Sequence, residues 1–109
     1  MKTLKPLKGK DLHRANRELC TKLKLALGCS ECGYNSHAEA LQWDHIDPNT
    51  KFRTKNGTLV NPGNMIMYAQ SVMLAEFKKC RVLCANCHAV HTKQQQDEIR
   101  KLNKQLELA

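Results

Sequence analysis

Long apolar runs are missing from this chain of 109 residues. A membrane-spanning helix needs about 18 or more consecutive apolar residues, and no such run occurs. The basic segment 1–10 is not followed by an uninterrupted apolar stretch, because Lys24 breaks the short run at 23–27. We therefore expect no signal peptide and predict a cytoplasmic protein that does not bind membranes.

Aromatic residues are also scarce, at 5% of the sequence against 41% for all hydrophobic residues. A chain of this length is expected to form one small domain. Such a domain buries only a modest core, and small domains are commonly stabilised by bound metal. The sequence therefore predicts a soluble globular domain in which metal ligands supplement the core.

Acidic residues are few relative to basic ones, with 10 Asp and Glu against 18 Lys and Arg and a net charge of +8. The pI near 9.4 favours a polyanionic partner, and nucleic acid is the first candidate. A basic protein that is merely soluble is the alternative. Most of the excess lies in the first 24 residues, whose basic side chains are Lys2, Lys5, Lys8, Lys10, Arg14, Arg17, Lys22 and Lys24.

A first helix is predicted after a basic arm at residues 1–9, from Asp11 as N-cap to Leu27, with Gly28 as its stop. Apolar residues at three- and four-residue steps give this helix one buried face. They are Leu12, Ala15, Leu19, Leu23 and Ala26. The opposite face is basic, and it is either a solvated surface or a surface that contacts phosphates. This face carries Arg14, Arg17, Lys22 and Lys24.

Six cysteines include two C-x-x-C pairs, Cys29 with Cys32 and Cys84 with Cys87. In a reducing compartment such pairs are metal ligands rather than disulfides. Two pairs complete the tetrahedral four-sulfur site that zinc prefers. Because the 51 residues 33–83 separate the pairs, the predicted zinc clamps the ends of a larger unit. The other two cysteines are expected to be ordinary buried thiols.

Two short strands, a long loop and two helices are predicted beyond the first cysteine pair. The first strand is expected to place Leu41, Trp43 and His45 on one face. The loop is long for a small domain, and such loops are commonly functional. The predicted elements are a strand at 40–46, the loop at 49–64, a helix at 65–79, a strand at 81–83 and a helix at 85–106.

Three of these elements carry surfaces with a predicted role. The loop holds Lys51, Arg53 and Lys55, which suit a phosphate backbone. The helix at 65–79 is expected to turn Ile66, Ala69, Val72, Met73 and Phe77 to the core. The last helix has a narrow apolar stripe, which is expected to dock on its own domain, or on a second copy in a weak homodimer. The stripe is Ile99, Leu102 and Leu106.

Asp44 and His45, near the end of the first strand, are suited to hydrolytic chemistry. A carboxylate oxygen binds hard divalent cations, and an imidazole takes a proton from water. The zinc clamp is expected to bring His88, in the first turn of the last helix, beside Asp44. Asp44 and His88 would then form an open divalent-metal site at a scissile phosphate, and His45 would activate the attacking water.

With these segments in place, the chain resembles the small zinc-binding HNH endonucleases of phages and bacteria. The resemblance spans residues 29–92, over half of the chain, in the order that the family uses. The matching segments are C-x-x-C-G at 29–33, A-L-Q-W-D-H-I-D-P at 40–48 and K-C-R-V-L-C-A-N-C-H at 79–88.

The resemblance implies an α+β fold, with a small ββα-metal (His-Me finger) core, flanking helices and a four-cysteine structural zinc. Residues 1–28 would be the basic arm and DNA-contacting helix, and residues 29–109 the nuclease core with its C-terminal helix, in one compact domain. Asp44 and His88 would bind catalytic Mg²⁺ or Mn²⁺, and His45 would be the general base. The DNA-contacting residues would be Lys8, Lys10, Arg14, Arg17, Lys22, Lys24, Lys51, Arg53 and Lys55.

The implied reaction is hydrolysis of a DNA phosphodiester to 5′-phosphate and 3′-hydroxyl ends, by nicking or double-strand cleavage, in the cytoplasm of a bacterial cell or a phage-infected host. The chain departs from the family pattern at two places. Residues 78–80 occupy the zone of the middle Asn, which leaves Asn61 and Asn64 as candidates if the loop folds back. His91 stands where relatives often have a basic residue, and it contacts phosphate, joins the metal or is a spectator.

Two other functions fit the same sequence. A non-catalytic zinc-knuckle module that binds DNA or RNA needs only the charge and the four cysteines. A structural or adaptor protein, such as a partner of a DNA-packaging machine, is the third possibility. Metal-dependent nicking of supercoiled DNA distinguishes the endonuclease from both.

Overall fold

The computed structural model describes residues 7–108, which form a small α+β protein. Its main elements are helix α1 (Gly9–Leu27), strand β1 (Leu41–His45), helix α2 (Gln70–Phe77), strand β2 (Cys80–Cys84) and helix α3 (Ala85–Leu108). Short 3-10 helices lie at Ala38–Ala40, Pro48–Thr50 and Pro62–Met67. No helix within residues 7–108 is long and apolar enough to span a membrane. The start of the predicted basic arm, before residue 7, lies outside this range.

β1 and β2 form an antiparallel ladder that pairs Leu41 with Cys84 and His45 with Cys80. Both predicted strands are confirmed, within one residue at each end. Every second residue of β1 is buried, so Leu41, Trp43 and His45 share one face as predicted. Among the described residues the sheet has two strands, which leaves the other edge of β1 without a partner strand.

α1 begins at Gly9, earlier than predicted. The prediction of Asp11 as the N-cap is therefore wrong. Asp11 lies in the first turn, where a carboxylate stabilises the positive end of the helix dipole without capping it. The helix ends at Leu27 as predicted, and Gly28 caps it with a φ of 65°, a left-handed conformation that favours glycine.

The buried side of α1 is centred on two residues that the apolar pattern did not include. Asn16 is completely buried, and its Nδ2 donates to the carbonyl oxygens of Ile66 at 3.0 Å and Tyr68 at 2.8 Å. Cys20 is buried and accepts a hydrogen bond from the Trp43 indole at 3.3 Å. α1 is thus attached to the centre of the domain through polar as well as apolar contacts.

The single helix predicted at 65–79 is wrong, because the structure divides this segment in two. The 3-10 helix starts after Asn61, whose side chain accepts from the Gly63 N–H at 3.0 Å, and α2 follows it. The division has a physical reason in Asn16, whose amide binds two carbonyl oxygens that a continuous helix would use for its own hydrogen bonds.

The core lies between α1, α2 and the sheet. Trp43 stacks on Phe77 with ring centroids 4.0 Å apart. Met73 and Phe77 are buried as predicted, whereas Ala69 and Val72 are exposed, which corrects the predicted core. Ala69 lies at the break, and Val72 lies in the first turn of the short α2. The spacing of buried residues expected for one long helix therefore does not hold there.

α3 begins at Ala85 as predicted and contains 24 residues, a length of about 36 Å. Its apolar stripe does not dock on its own domain, and that prediction is wrong. The exposed fractions of Ile99, Leu102 and Leu106 are 57%, 59% and 74%. Because the strands under α3 are only five residues long, the helix outruns them, and every residue at 98–108 is exposed.

Candidate functional site

The cysteines of the two C-x-x-C pairs converge on one point, as predicted. Their sulfur atoms all lie within 4.8 Å of one another, and those of Cys32 and Cys84 are 3.7 Å apart. A tetrahedral zinc ion with Zn–S bonds of about 2.3 Å separates its sulfurs by about 3.8 Å, so the cluster has the size that such an ion requires. The cluster can therefore hold a structural metal ion such as zinc, on Cys29, Cys32, Cys84 and Cys87.

The first cysteine pair is shaped by a tight turn after α1. The Gly33 N–H donates to the Cys29 carbonyl at 2.8 Å, and Gly33 has a φ of 80°, which favours glycine. The Ser30 N–H donates to the Val82 carbonyl at 2.9 Å, which attaches the turn to β2. The second pair needs no such turn, because Cys84 ends β2 and Cys87 lies in the first turn of α3. The Cys87 N–H donates to the Cys84 sulfur at 3.4 Å.

The four thiols cannot all ionise at neutral pH without a cation. Burial raises the pKa of Cys29, but hydrogen bonds from the backbone of Cys32, Cys84 and Glu31 outweigh it and lower the pKa to about 6. Hydrogen bonding with Cys84, burial and the neighbouring Cys29 raise the pKa of Cys87 to about 12. One thiolate forms readily, and its negative charge disfavours ionisation of the other thiols. A bound divalent cation would remove this repulsion.

The other two cysteines, Cys20 and Cys80, lie outside the cluster. Cys20 is buried as predicted, whereas Cys80 is half-buried. Burial, and then the carboxylates of Glu76 and Asp44, raise the pKa of Cys80 to about 12. Cys80 therefore remains a protonated thiol at neutral pH, and its sulfur is not part of the four-cysteine cluster.

A cleft of about 430 Å³ is lined by all five residues of β1 and by none of β2, which places it at the free edge of β1. Side chains on the two faces of a strand point away from each other, but both can reach a ligand that lies against its edge. The cleft thus brings Asp44, His45 and His88 to one place. Its other lining residues are Lys24, Lys51, Asn61, Pro62 and Gly63.

Asp44 is held between α3 and β2. His88 Nε2 lies 3.5 Å from its Oδ1, as the sequence predicts for these two residues, and Arg81 Nε donates to its Oδ2 at 3.2 Å. Arg81 stands opposite Asp44 in the ladder and also lies 3.8 Å from Glu31, inside the first cysteine turn. Oδ1 of Asp44 and Nε2 of His88 are therefore two neighbouring donor atoms of the types that divalent cations bind.

His45 faces the opposite way from Asp44, towards the core. Its side chain is 2% exposed, and its Nε2 lies 2.6 Å from Oε1 of Glu76. Glu76 also accepts from the Phe52 N–H at 3.0 Å and from Lys79 Nζ at 3.1 Å. Burial raises the pKa of Glu76, but the hydrogen bonds from His45 and Lys79 outweigh burial and hold the pKa below its usual value. Glu76 is thus a buried carboxylate that is ionised at neutral pH.

His91 lies one turn beyond His88 on α3 but does not line the cleft. Its Nε2 is 2.6 Å from NH2 of Arg81 and 3.3 Å from the Gln95 amide nitrogen. A guanidinium group only donates hydrogen bonds, so Nε2 of His91 is the acceptor. Of the three roles considered from the sequence, this geometry does not support that of a metal ligand beside His88. His91 instead supports Arg81, which holds Asp44.

The nine basic residues predicted to contact DNA do not form one patch. Lys24, which is half-buried, and Lys51 line the cleft, so the expectation that Lys24 lies on an outward face of α1 is wrong. At about 100° per residue, three other basic residues share a sector of about 80° with Lys24, while Lys22 lies about 120° from the middle of that sector. The four residues in this sector, here named the α1 basic stripe, are Lys10, Arg14, Arg17 and Lys24.

The remaining predicted DNA contacts lie away from the cleft. Lys8 is exposed just before α1. Arg53 donates to the Gly57 carbonyl at 2.8 Å and stabilises its own loop, and Lys55 is exposed at the tip of that loop. The loop does fold back, because Asn61 lines the cleft.

Two residues of the site were missed by sequence reasoning, Glu76 and Arg81. A signal for Glu76 was present, since it lies three residues after Met73 on a helical face that is otherwise apolar. An acidic residue at a core-facing position always needs a partner. Arg81 had no comparable signal, because its contact with Asp44 depends on the strand register.

Similarity to known proteins does not identify a family for this chain. No protein-family model matches it, and comparisons with curated proteins and with solved structures give no match either. Its function is therefore inferred from the residues of the cleft and of the cysteine cluster.

Proposed function

We propose that the protein is a metal-dependent DNA endonuclease of the HNH type, with a ββα-metal core stapled by zinc on the four cysteines. β1, β2 and the start of α3 follow the order of such a core. The observation that carries the proposal is the convergence of Asp44, His45 and His88 in one cleft with Lys24 and Lys51.

The cleft residues suit a phosphodiester substrate. Lys24 and Lys51 attract the phosphate groups of a nucleic acid strand, whose backbone charge dominates its affinity for proteins. The free edge of β1 gives an extended strand room to lie along the cleft. The α1 basic stripe continues from Lys24 along the helix, so neighbouring phosphates also meet positive charge.

Asp44 and His88 fit a catalytic divalent cation, Mg²⁺ or Mn²⁺. Two donors that each lie about 2.1 Å from one ion are separated by about 3–4 Å, and Oδ1 and Nε2 are 3.5 Å apart. The pair would occupy two coordination positions and would leave the others for water and phosphate oxygens. When bound, the cation polarises the scissile phosphate and stabilises the charge on the departing 3′ oxygen.

The protein side chains perform the other steps of the reaction. His45 accepts a proton from the water that attacks phosphorus. Lys24 and Lys51 hold the strand in place, and Arg81 fixes Asp44 through Oδ2, so that Oδ1 stays directed towards His88. Hydrolysis then leaves a 5′-phosphate and a 3′-hydroxyl end.

The test is nicking of supercoiled plasmid by zinc-loaded protein with Mg²⁺, with Mn²⁺ or without added cation. Open circles are expected only with a cation, and His88→Ala should abolish most of the activity. His37→Ala is the matched control, because His37 is exposed and does not line the cleft. Nicking that needs no cation, or that His88→Ala leaves unchanged, would contradict the proposal.

One observation favours a second candidate, a nucleic-acid-binding module without catalysis. Most of the α1 basic stripe and the whole cysteine cluster lie outside the cleft. A protein that binds DNA tightly but never nicks it, under any of the three cation conditions, would have this function instead.

DNA affinity is predicted to depend on the α1 basic stripe. Arg14→Ala and Arg17→Ala should each weaken binding and reduce the slope of log affinity against log salt concentration by about 0.9, because each loses one phosphate contact. Lys22→Ala is the matched control, because Lys22 is an exposed basic residue of α1 outside the stripe. Fluorescence anisotropy with a short duplex at several salt concentrations measures both quantities. An unchanged slope for Arg17→Ala would move the DNA surface to the loop around Lys51.

A further inference from the structure

Glu76 is the one acidic residue in the buried polar group of the described chain, and it lies beside the proposed general base. Its side chain is 3% exposed and belongs to α2, 31 residues from His45 in sequence. Three donors surround it, namely the His45 ring, the Phe52 N–H and the Lys79 ammonium group. Burial of a carboxylate costs free energy, so a buried carboxylate that accepts from three hydrogen-bond donors calls for an explanation.

We propose that Glu76 is a positioning residue for His45, which fixes the ring with its proton on Nε2 and leaves Nδ1 to take the proton from the attacking water. This inference rests on the proposed function and adds to it a residue from outside the β1–β2–α3 segment. Glu76 touches neither the substrate nor the metal site, and it acts through His45.

The direction of the hydrogen bond fixes the tautomer of His45. The pKa of Glu76 is held below its usual value, so its oxygen can only accept. Nε2 of His45 must then be the donor across the 2.6 Å contact. A neutral ring that carries its proton on Nε2 has its lone pair on Nδ1, and that atom is the one able to accept a proton.

Nδ1 is also the ring nitrogen that the cleft can reach. Within residues 7–108, no fully buried side-chain nitrogen or oxygen lacks a hydrogen-bond partner. Nε2 has a partner in Glu76, and Nδ1 has none among these residues. Nδ1 therefore retains contact with solvent, and the solvent beside His45 is that of the cleft, which His45 lines.

The water oxygen forms a bond to phosphorus, and its proton moves to Nδ1 of His45. The bond from phosphorus to the 3′ oxygen breaks with its electron pair, and that oxygen takes a proton from solvent. The imidazolium that forms is stabilised by the Glu76 carboxylate and later releases its Nδ1 proton to solvent, which restores the starting state.

Glu76 also connects His45 with the loop that carries Lys51. Oε1 accepts from both the His45 ring and the Phe52 N–H, and Phe52 directly follows Lys51. Lys79 binds the other oxygen of Glu76 and the Thr50 carbonyl, at 3.1 Å each. The carboxylate therefore sets the position of the base relative to a lysine that lines the same cleft.

The first measurement is the tautomer of His45, from nitrogen-15 NMR of the zinc-loaded protein at a pH where the ring is neutral. A pyrrole-type Nε2 and a pyridine-type Nδ1 are expected. A proton on Nδ1 in the wild-type protein would overturn the proposal without any variant. This readout needs neither DNA nor activity, so it remains decisive if the protein fails to nick and the proposed function fails.

The second measurement compares nicking by Glu76→Gln with nicking by the wild type at saturating DNA. A neutral amide cannot stabilise the imidazolium, so the rate should fall by about 10²-fold or more while Mn²⁺ affinity stays the same. Glu98→Gln is the matched control, because Glu98 is an exposed acid on the part of α3 that leaves the domain. A folded Glu76→Gln protein that nicks at the wild-type rate would overturn the proposal.

Discussion

Cys32→Ser and Cys84→Ser are each expected to remove the zinc and unfold the domain. The wild-type protein should contain about one zinc per chain, because its four sulfurs are spaced for one tetrahedral ion. Zinc binding to a structural site of this kind contributes about 10–16 kcal/mol, which matches or exceeds the whole stability of an ordinary domain of about 5–15 kcal/mol. A serine hydroxyl does not replace a thiolate ligand, so most of this contribution should be lost.

The two variants differ in a way that makes the test sharper. Cys84 is buried at the end of β2, so its replacement also disturbs packing, whereas Cys32 is exposed and contributes little except its sulfur. Unfolding of Cys32→Ser would therefore report loss of metal. Cys20→Ser and Cys80→Ser are the controls and should keep a full zinc content. Elemental analysis and thermal melting by circular dichroism suffice, and a folded, zinc-loaded Cys32→Ser or Cys84→Ser protein would refute the assignment.

Replacement of His45 and of the two proposed metal ligands is expected to stop cleavage for different reasons. His45→Gln removes the base but leaves Asp44 and His88, so the nicking rate should fall by about 10²–10⁴-fold with Mn²⁺ affinity unchanged. Glutamine is preferable to alanine, because its amide can still donate to the buried carboxylate of Glu76. Alanine would leave that carboxylate short of a partner, at a cost of about 1–3 kcal/mol.

Asp44→Ala and His88→Ala should instead weaken binding of the divalent cation. Excess Mn²⁺ should restore part of their activity, because Mn²⁺ binds nitrogen and oxygen ligands more tightly than Mg²⁺. Both variants should keep their zinc, since the cysteines are untouched. Calorimetry for Mn²⁺ and nicking rates give the comparison. Lost Mn²⁺ affinity in His45→Gln, with intact affinity in His88→Ala, would mean that the roles of base and ligand are exchanged.

The features predictable from the sequence were those encoded by local spacing. The C-x-x-C pairs predict the sulfur cluster because each pair supplies two ligands within one short segment, and two pairs complete a four-ligand metal site. The alternation in β1 predicts that Trp43 and His45 are buried. The proximity of His88 to Asp44 also followed, because the convergence of the two cysteine pairs leaves the start of α3 few positions other than beside β1.

The features that could not be predicted depend on contacts between distant segments. Asn16 interrupts the helix predicted at 65–79 by binding carbonyl oxygens about 50 residues away, and nothing local to that segment encodes the break. The position of Lys24 in the cleft depends on how α1 packs, and its spacing along the helix indicates only a basic face. The Glu76–His45 contact likewise required the docking of α2 on the sheet.

The exposed end of α3 has a consequence for how that helix forms. A helix needs a nucleus, whose first turn is unfavourable, and it then grows by additions that are each nearly neutral. In α3 the first turn holds Cys87 and His88, next to Cys84 at the end of β2, while every residue at 98–108 is exposed. Helical order is therefore expected to propagate outwards from the cysteine cluster, so a metal held by the cluster would also provide the nucleus for the longest element of the described chain.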